Sequence, residues 1–199
     1  MSDIEKHPFE PFLPENARIL FLGSFPPQPK RWSMVFYYPN WINDFWRIAG
    51  LVFFGERDYF CIPSEKRFDL EKIVSFCKGR GLAFYDTACA VRRLRDNASD
   101  KFLEVVTPAD IPALLGKIPQ CSAIVTTGEK ATDTLAEACR CQKPAVGEST
   151  SVTIAGRQVE FYRMPSTSRA YPLSLQAKAE AYRRLFLATG LLQDTGGKQ

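Results

Sequence analysis

The sequence predicts an α/β protein: a three-layer αβα sandwich around a central, mostly parallel four-stranded sheet. Two observations lead there. Short apolar, β-branched runs recur along the chain and each ends in a turn residue. Between them lie stretches with apolar residues three and four apart, the helical spacing. Strands that alternate with helices close into a parallel sheet covered on both faces. At 199 residues the chain suits one such domain. The expected organisation is a lead-in over 1–17, a single domain over 18–192 and a flexible tail over 193–199.

Taken in order, the lead-in is kept extended by Pro8, Pro11 and Pro14, and Phe9, Phe12 and Leu13 can pin it to the domain. Arg18 to Gly23 is the first strand, apolar as a strand buried on both faces must be. A loop broken by Pro26, Pro27 and Pro29 follows, and Asn43 to Leu51 reads as a helix. The stretch 56–80 holds a second helical pattern, starting at Pro63-Ser64-Glu65 and stopping at Gly79 and Gly81. Leu82 to Asp86 is the second strand, and residues 88–100 read as a long basic connection. Thr107-Pro108-Ala109-Asp110 caps a helix over Ile111 to Ile118. Ala123 to Thr127 is the third strand, followed by a helix from Glu129 to Cys139. Ser151 to Ile154 and Gln158 to Arg163 flank Ala155-Gly156-Arg157 as a hairpin, its second arm being the fourth core strand. Leu173 to Leu187 is the last helix.

Composition narrows the function classes. A 45% hydrophobic and 24% charged chain is ordinary for a globular protein. A net charge of +4 permits a polyanionic partner without demanding one. No apolar run reaches the roughly 18 residues that a membrane span requires, and the charged, proline-broken start is no secretory signal. A soluble, cytoplasmic protein is expected. The six cysteines form no CxxC and the chain has one histidine, His7, so zinc spacing is absent and reduced, mostly buried thiols are expected. There is no GxGxxG and no GxxxxGK[ST]. There is no GxSxG, and His7 is expected outside the core, which excludes the nucleophile–histidine pairs.

What remains is chemistry at one sheet edge. Ligands of open α/β folds bind outside the carboxyl ends of the strands. The loops after strands one, two and four should meet there. They carry the Gly23-Ser24-Phe25-Pro26 turn with Phe36-Tyr37-Tyr38, Asn40 and Asn43, then Asp86, then Ser166-Thr167-Ser168-Arg169. Aromatics, amides and hydroxyls in proline-broken loops suit a pocket for something flat and polar, and a reaction driven by positioning and electrostatics.

These segments resemble the uracil-DNA glycosylase superfamily. The resemblance rests on Gly23-Ser24-Phe25-Pro26-Pro27 and on Asn40-Trp41-Ile42-Asn43-Asp44-Phe45-Trp46. It extends through Gly81 to Asp86, Thr127 to Ala131, Met164-Pro165-Ser166-Thr167-Ser168 and Ala181 to Leu185. The nearest branches are the hypoxanthine-DNA glycosylases and the mismatch-specific uracil/thymine glycosylases. The resemblance implies a monofunctional DNA glycosylase that flips a deaminated base, uracil or hypoxanthine, and hydrolyses its N-glycosidic bond without metal or cofactor. The implied partner is DNA containing deaminated bases, with no membrane and a monomeric chain. Asn43 matches the water-orienting amide, and Tyr38 the stacking aromatic, assisted by Phe25, Tyr37 and Ser24. Ser166, Thr167, Ser168 and Arg169 would meet phosphates, and Lys30, Arg31, Arg92, Arg93 and Arg95 would line the approach. Gly23, Pro26 and Asp86 would support the loop. The chain departs from the pattern at Phe25, where the mismatch-specific branch has Asn, and at Asn40, Trp41 and Arg169, where the family has His, Pro and Pro. Those departures keep open an alternative, a catalytically inactive member of the fold that binds nucleic acid or a nucleobase.

Overall fold

The computed structural model describes residues 3–94 and 102–193. Arg95 and most of the expected tail lie outside the described residues. In chain order the strands and helices are β1 (Ile4–Lys6), β2 (Ile19–Gly23), α1 (Phe45–Phe54), β3 (Cys61–Ile62), β4 (Arg67–Phe68), α2 (Leu70–Arg80), β5 (Leu82–Asp86), β6 (Ala88–Arg93), β7 (Leu103–Pro108), α3 (Ile111–Lys117), β8 (Ala123–Thr127), α4 (Glu129–Cys139), β9 (Ser149–Ile154), β10 (Arg157–Met164) and α5 (Leu175–Ala188).

The central sheet has the order β5-β2-β8-β10-β9. Its first four strands run parallel, and β9 is antiparallel to β10. The expected four-stranded sheet is therefore five-stranded and mixed. The reason is the hairpin turn: Ala155 and Gly156 both take positive φ, 49° and 78°. Such a two-residue turn matches the twist of paired strands, so the first arm is carried onto the sheet edge as a further strand. Every residue of β2, β5 and β8 is buried, as strands covered on both faces require. Phe21 and Phe84 stack across β2 and β5 at 5.5 Å, and Phe45 of α1 and Phe186 of α5 close over Phe21.

Three expectations over the first half need correction. The helix expected to start at Pro63-Ser64-Glu65 is shorter: a 3-10 turn at 63–65 joins the short strands β3 and β4, and α2 begins only at Leu70. Asp69 caps it, its carboxylate accepting from Lys72 N at 3.1 Å, so the helix starts where a capping acid stands. The first part of the basic connection after Asp86, Ala88–Arg93, is the strand β6 of a second sheet in the order β1-β6-β7, and 95–100 lie outside the described residues. Register shifts at Ala88/Ala90 and Ala90/Val91 break the alternation by which a strand is read from sequence. The lead-in is held on the domain, with Phe9, Phe12 and Leu13 packed against the core: β1 pairs with β6, and Phe12 forms a bridge to Phe84. The helix expected from Asn43 begins at Phe45.

Gly81 shows how tightly the first half is joined. It ends α2 in a left-handed conformation with φ +67°, and its carbonyl accepts from Arg18 N at 2.8 Å. A Cβ there would run into the carbonyl oxygen of Asn16. Gly81→Ala is expected to cost about 2 kcal/mol or more, since conformational strain adds to a backbone clash; urea denaturation of the two proteins measures it.

Candidate functional site

The carboxyl ends of β2, β5, β8 and β10 open on a cleft of about 1120 Å³. Every one of the predicted site residues lines it: Gly23, Ser24, Phe25, Pro26, Tyr37, Tyr38, Asn43, Asp86, Ser166, Thr167, Ser168 and Arg169. The loop after β8 also reaches it, through Thr127, Gly128 and Lys130. That contribution was missed in the sequence, although Thr127-Gly128 repeats the strand-then-glycine pattern of Leu22-Gly23.

The proline-rich loop is held from within. Trp32 Nε1 donates to Pro27 O at 2.7 Å, and Ser33 N and Oγ both donate to Pro39 O at 2.8 Å. The loop ends on Tyr38, whose φ of 52° is unusual for a residue with a side chain. Two contacts hold it there. Its ring lies flat on Phe45, with centroids 4.0 Å apart, and its hydroxyl hydrogen-bonds Thr127 Oγ1 at 2.7 Å. Tyr37 points the other way into the core and donates its hydroxyl to Glu10 O at 2.8 Å. Burial first, and then the nearby Asp86 carboxylate, push its phenol well above the ordinary value, so it stays a neutral donor.

Asn43 stands just before α1, half-buried, with Oδ1 accepting from Phe45 N at 2.9 Å. The bond fixes which face of the carboxamide carries the oxygen. Its own carbonyl is gripped by Arg47 Nη1 at 3.0 Å, which also takes Trp41 O at 2.7 Å. The Arg47 guanidinium lies 4.4 Å from the Trp41 ring, and burial lowers its affinity for the proton. Asp44, next in the chain, is buried and paired with Lys178 Nζ at 2.9 Å and Arg169 Nη2 at 3.3 Å. Its backbone N donates to Thr167 O at 2.9 Å, and Lys178 Nζ also donates to Ser168 O at 2.8 Å. Asp44 and Lys178 thus lash the start of α1 to the loop after β10. Lys178 sits at a position of α5 whose spacing to Tyr182 and Leu185 reads as apolar, which is the trace it leaves in the sequence.

In the 166–169 loop, Ser166 Oγ accepts from Ser168 N at 3.2 Å and Ser168 Oγ from Ala170 N at 3.3 Å. Each hydroxyl keeps its own proton to donate. Thr167 is only 2% exposed and belongs to the loop's inner side. Phe25 packs with Ala88, Val91 and Leu103. Of the basic residues, Arg31 and Arg93 line the cleft, and Arg93 is engaged with Glu5 at 3.0 Å and with Pro26 O at 2.9 Å. Arg92 pairs with Glu104 at 2.8 Å.

His7 is the main departure from expectation. It is not outside the core: its side chain is 3% exposed and Nε2 lies 2.8 Å from Asp86 Oδ2. The lead-in reaches it because β1 is a strand. As the chain's one histidine, flanked by Pro8, it has no periodic pattern to announce burial.

The fold is α/β, with a cleft at the carboxyl edge of a largely parallel sheet. One solved relative of that fold is a solution NMR structure from Methanosarcina acetivorans, described as a putative uracil DNA glycosylase. It matches with a TM-score of 0.61 at 22% sequence identity, over 94% of this chain and 99% of that one. At that identity the likeness is one of fold. No protein-family model and no curated protein matches the chain. Among the described residues no helix is long and apolar enough to cross a membrane.

Lys178→Met is expected to destabilise the protein by about 3 kcal/mol, because it leaves the buried Asp44 charge short of its partner. Adding Asp44→Asn should recover part of that loss. Urea midpoints of the single and double variants check both.

Proposed function

We propose that the chain is a DNA glycosylase of base-excision repair, which draws a deaminated base, uracil or hypoxanthine, into the cleft and hydrolyses its N-glycosidic bond. The observation that supports this best is the convergence of Tyr38, Asn43 and the Ser166–Arg169 loop on one cleft in a fold shared with the Methanosarcina protein. A flipped base needs a flat face and fixed hydrogen-bonding groups. Phe45 backs the Tyr38 ring on one side, and a base would stack on the other. The Ser166 and Ser168 hydroxyls would donate to the phosphates beside the flipped nucleotide, with Arg169 close by.

Asn43 is the catalytic residue in this reading. One lone pair of Oδ1 is held by Phe45 N. The other can accept from a water and aim it at C1′ as the sugar takes on oxocarbenium character. The bond between C1′ and the base nitrogen breaks, its electron pair leaves with the base, and the water oxygen bonds to C1′ while its proton passes through solvent to the departing base, which is released neutral. A carboxamide orients this water without acting as a strong base, so the rate comes from position and electrostatics.

One observation favours a second reading, a nucleic-acid-binding protein without chemistry. Phe25 places an apolar side chain where the mismatch-specific branch carries its amide, and it packs into the small cluster beside β6. Labelled oligonucleotides containing uracil, hypoxanthine or xanthine, single-stranded or mismatched and treated with alkali, decide between them. Asn43→Ala is expected to lower the single-turnover rate about 100-fold or more while DNA affinity holds. Binding that weakens steeply with salt, with no strand breaks on any lesion, would instead establish the second reading.

A further inference from the structure

Arg47 does more than fill its place in the first turn of α1. Its side chain is 4% exposed. The guanidinium carbon stands 4.4 Å from the centre of the Trp41 ring and 5.4 Å from that of Phe68 in β4. The carboxylate of Asp58, on a half-exposed side chain, lies 3.8 Å from Nε. Nε itself is buried with no hydrogen-bond partner among the described residues. A cation taken out of water, weakly paired and with an unused donor, is unfavourable. An apolar side chain of similar length would fill the same space without that penalty. What the other end of the guanidinium holds explains why a cation stands here.

Nη1 donates to Trp41 O at 2.7 Å and to Asn43 O at 3.0 Å. The second bond stands where a helical one would be. In an α-helix a carbonyl accepts from the N–H four residues on. Asp44 O does so, from Ile48 N at 2.8 Å. For Asn43 the fourth residue on is Arg47, yet its side chain takes the carbonyl, and among the described residues no backbone N–H donates to Asn43 O. The helix accordingly starts at Phe45. Asn43 is left in a turn, where its Oδ1 accepts from Phe45 N at 2.9 Å and its N donates to Asn40 O at 2.8 Å. Asparagine is a residue for which turn and helix compete, because its side chain can bond backbone N–H groups as an alternative to entering the helix. A helix wound back over Asn43 would carry the carboxamide off Phe45 N.

We propose that Arg47 is the positioning residue for Asn43: by occupying the carbonyls of Trp41 and Asn43 it stops α1 before Asn43 and holds the carboxamide in its cleft-facing turn. This rests on the reading of Asn43 as the residue that orients the water. Trp41 belongs to the same clamp. Its ring carries the guanidinium and its carbonyl is one of the two held, so each fixes the other. Arg47 is not among the residues that line the cleft, so the clamp acts on the placing of Asn43 and not on the hold on DNA. A reacting group displaced by about 1 Å loses about 100-fold in rate, so a clamp that lies outside the cleft still governs turnover.

The test joins kinetics to amide hydrogen exchange on the full chain. Arg47→Met keeps the length of the side chain and removes its donors. It is expected to lower the single-turnover excision rate about tenfold or more while affinity for lesion-containing DNA stays within about twofold. Arg47→Lys returns a charged donor to the two carbonyls and should recover part of the rate. Asn43→Ala combined with Arg47→Met should be no slower than Asn43→Ala alone, because a residue that acts through Asn43 then has nothing left to act on. In Arg47→Met the exchange of Phe45 N–H, the group that Asn43 Oδ1 holds, should speed about tenfold or more while that of Ile48 N–H, bonded to Asp44 O, stays as it is. A role confined to stability predicts both amides exposed together, in step with a lower urea midpoint. If Arg47→Met does not fold, Arg47→Lys and Trp41→Leu decide, with Trp41→Leu expected to slow excision and free the Phe45 amide in the same sense. Unaltered Phe45 exchange, both amides freed together, or a double variant slower than Asn43→Ala overturns the inference. Selective loss of Phe45 protection in a protein that excises no lesion would sink the proposed hydrolysis alone. Excision at the wild-type rate by Arg47→Met would sink this inference alone.

Discussion

The buried ion pair between Asp44 and Lys178 is the constraint on which the cleft depends. A carboxylate and an ammonium taken out of water are costly apart, and together they contribute little net stability over an apolar pair. What they supply here is registry. Asp44 begins α1 and Lys178 lies within α5, while the backbone groups they engage, Thr167 and Ser168, belong to the loop after β10. The start of α1 is thereby fixed, 134 positions away in sequence, to α5 and to the loop that leads into it. Asn43, one residue before Asp44, inherits that position, and Arg47 holds its carbonyl from the next turn of the helix.

Rigidity on the other wall comes from aromatic packing. Tyr38 rests on Phe45, which meets Phe21 and Phe84 edge-on at 5.3 and 5.7 Å over the centre of the sheet. A ring so backed is placed by the core and not by the loop that carries it. The positive φ of Tyr38 is a local cost of order 1–3 kcal/mol. The Phe45 stack and the Thr127 hydrogen bond offset it and aim the ring into the cleft.

The extent to which this was legible follows from how each feature writes itself into sequence. Leu82–Asp86 and Ala123–Thr127 were read to the residue, because continuous apolar runs bounded by Gly or Asp have few alternatives. Glu129–Cys139 was read equally well from its 3–4 spacing. β6 was not, since its bulges interrupt the period that identifies a strand. β1 is three residues long and gains its order from β6, so missing one meant missing both. The fifth strand of the central sheet was present in the reading as a hairpin arm, but whether an arm joins a sheet is decided by the partner edge.

The sequence by itself determined the alternation of strands and helices, the carboxyl-edge location of the cleft and three of the loops that line it. These follow from local period and turn chemistry, which neighbouring residues carry. Only the tertiary structure decided the pairings: Asp44 with Lys178, Tyr38 with Phe45 and Thr127, and His7 with Asp86. Each joins residues that no local pattern connects, and for His7 and Asp86 the separation is 79 positions. A hydrogen bond or ion pair at that range is set by the summed geometry of the elements between, so it exists only once the whole domain has closed.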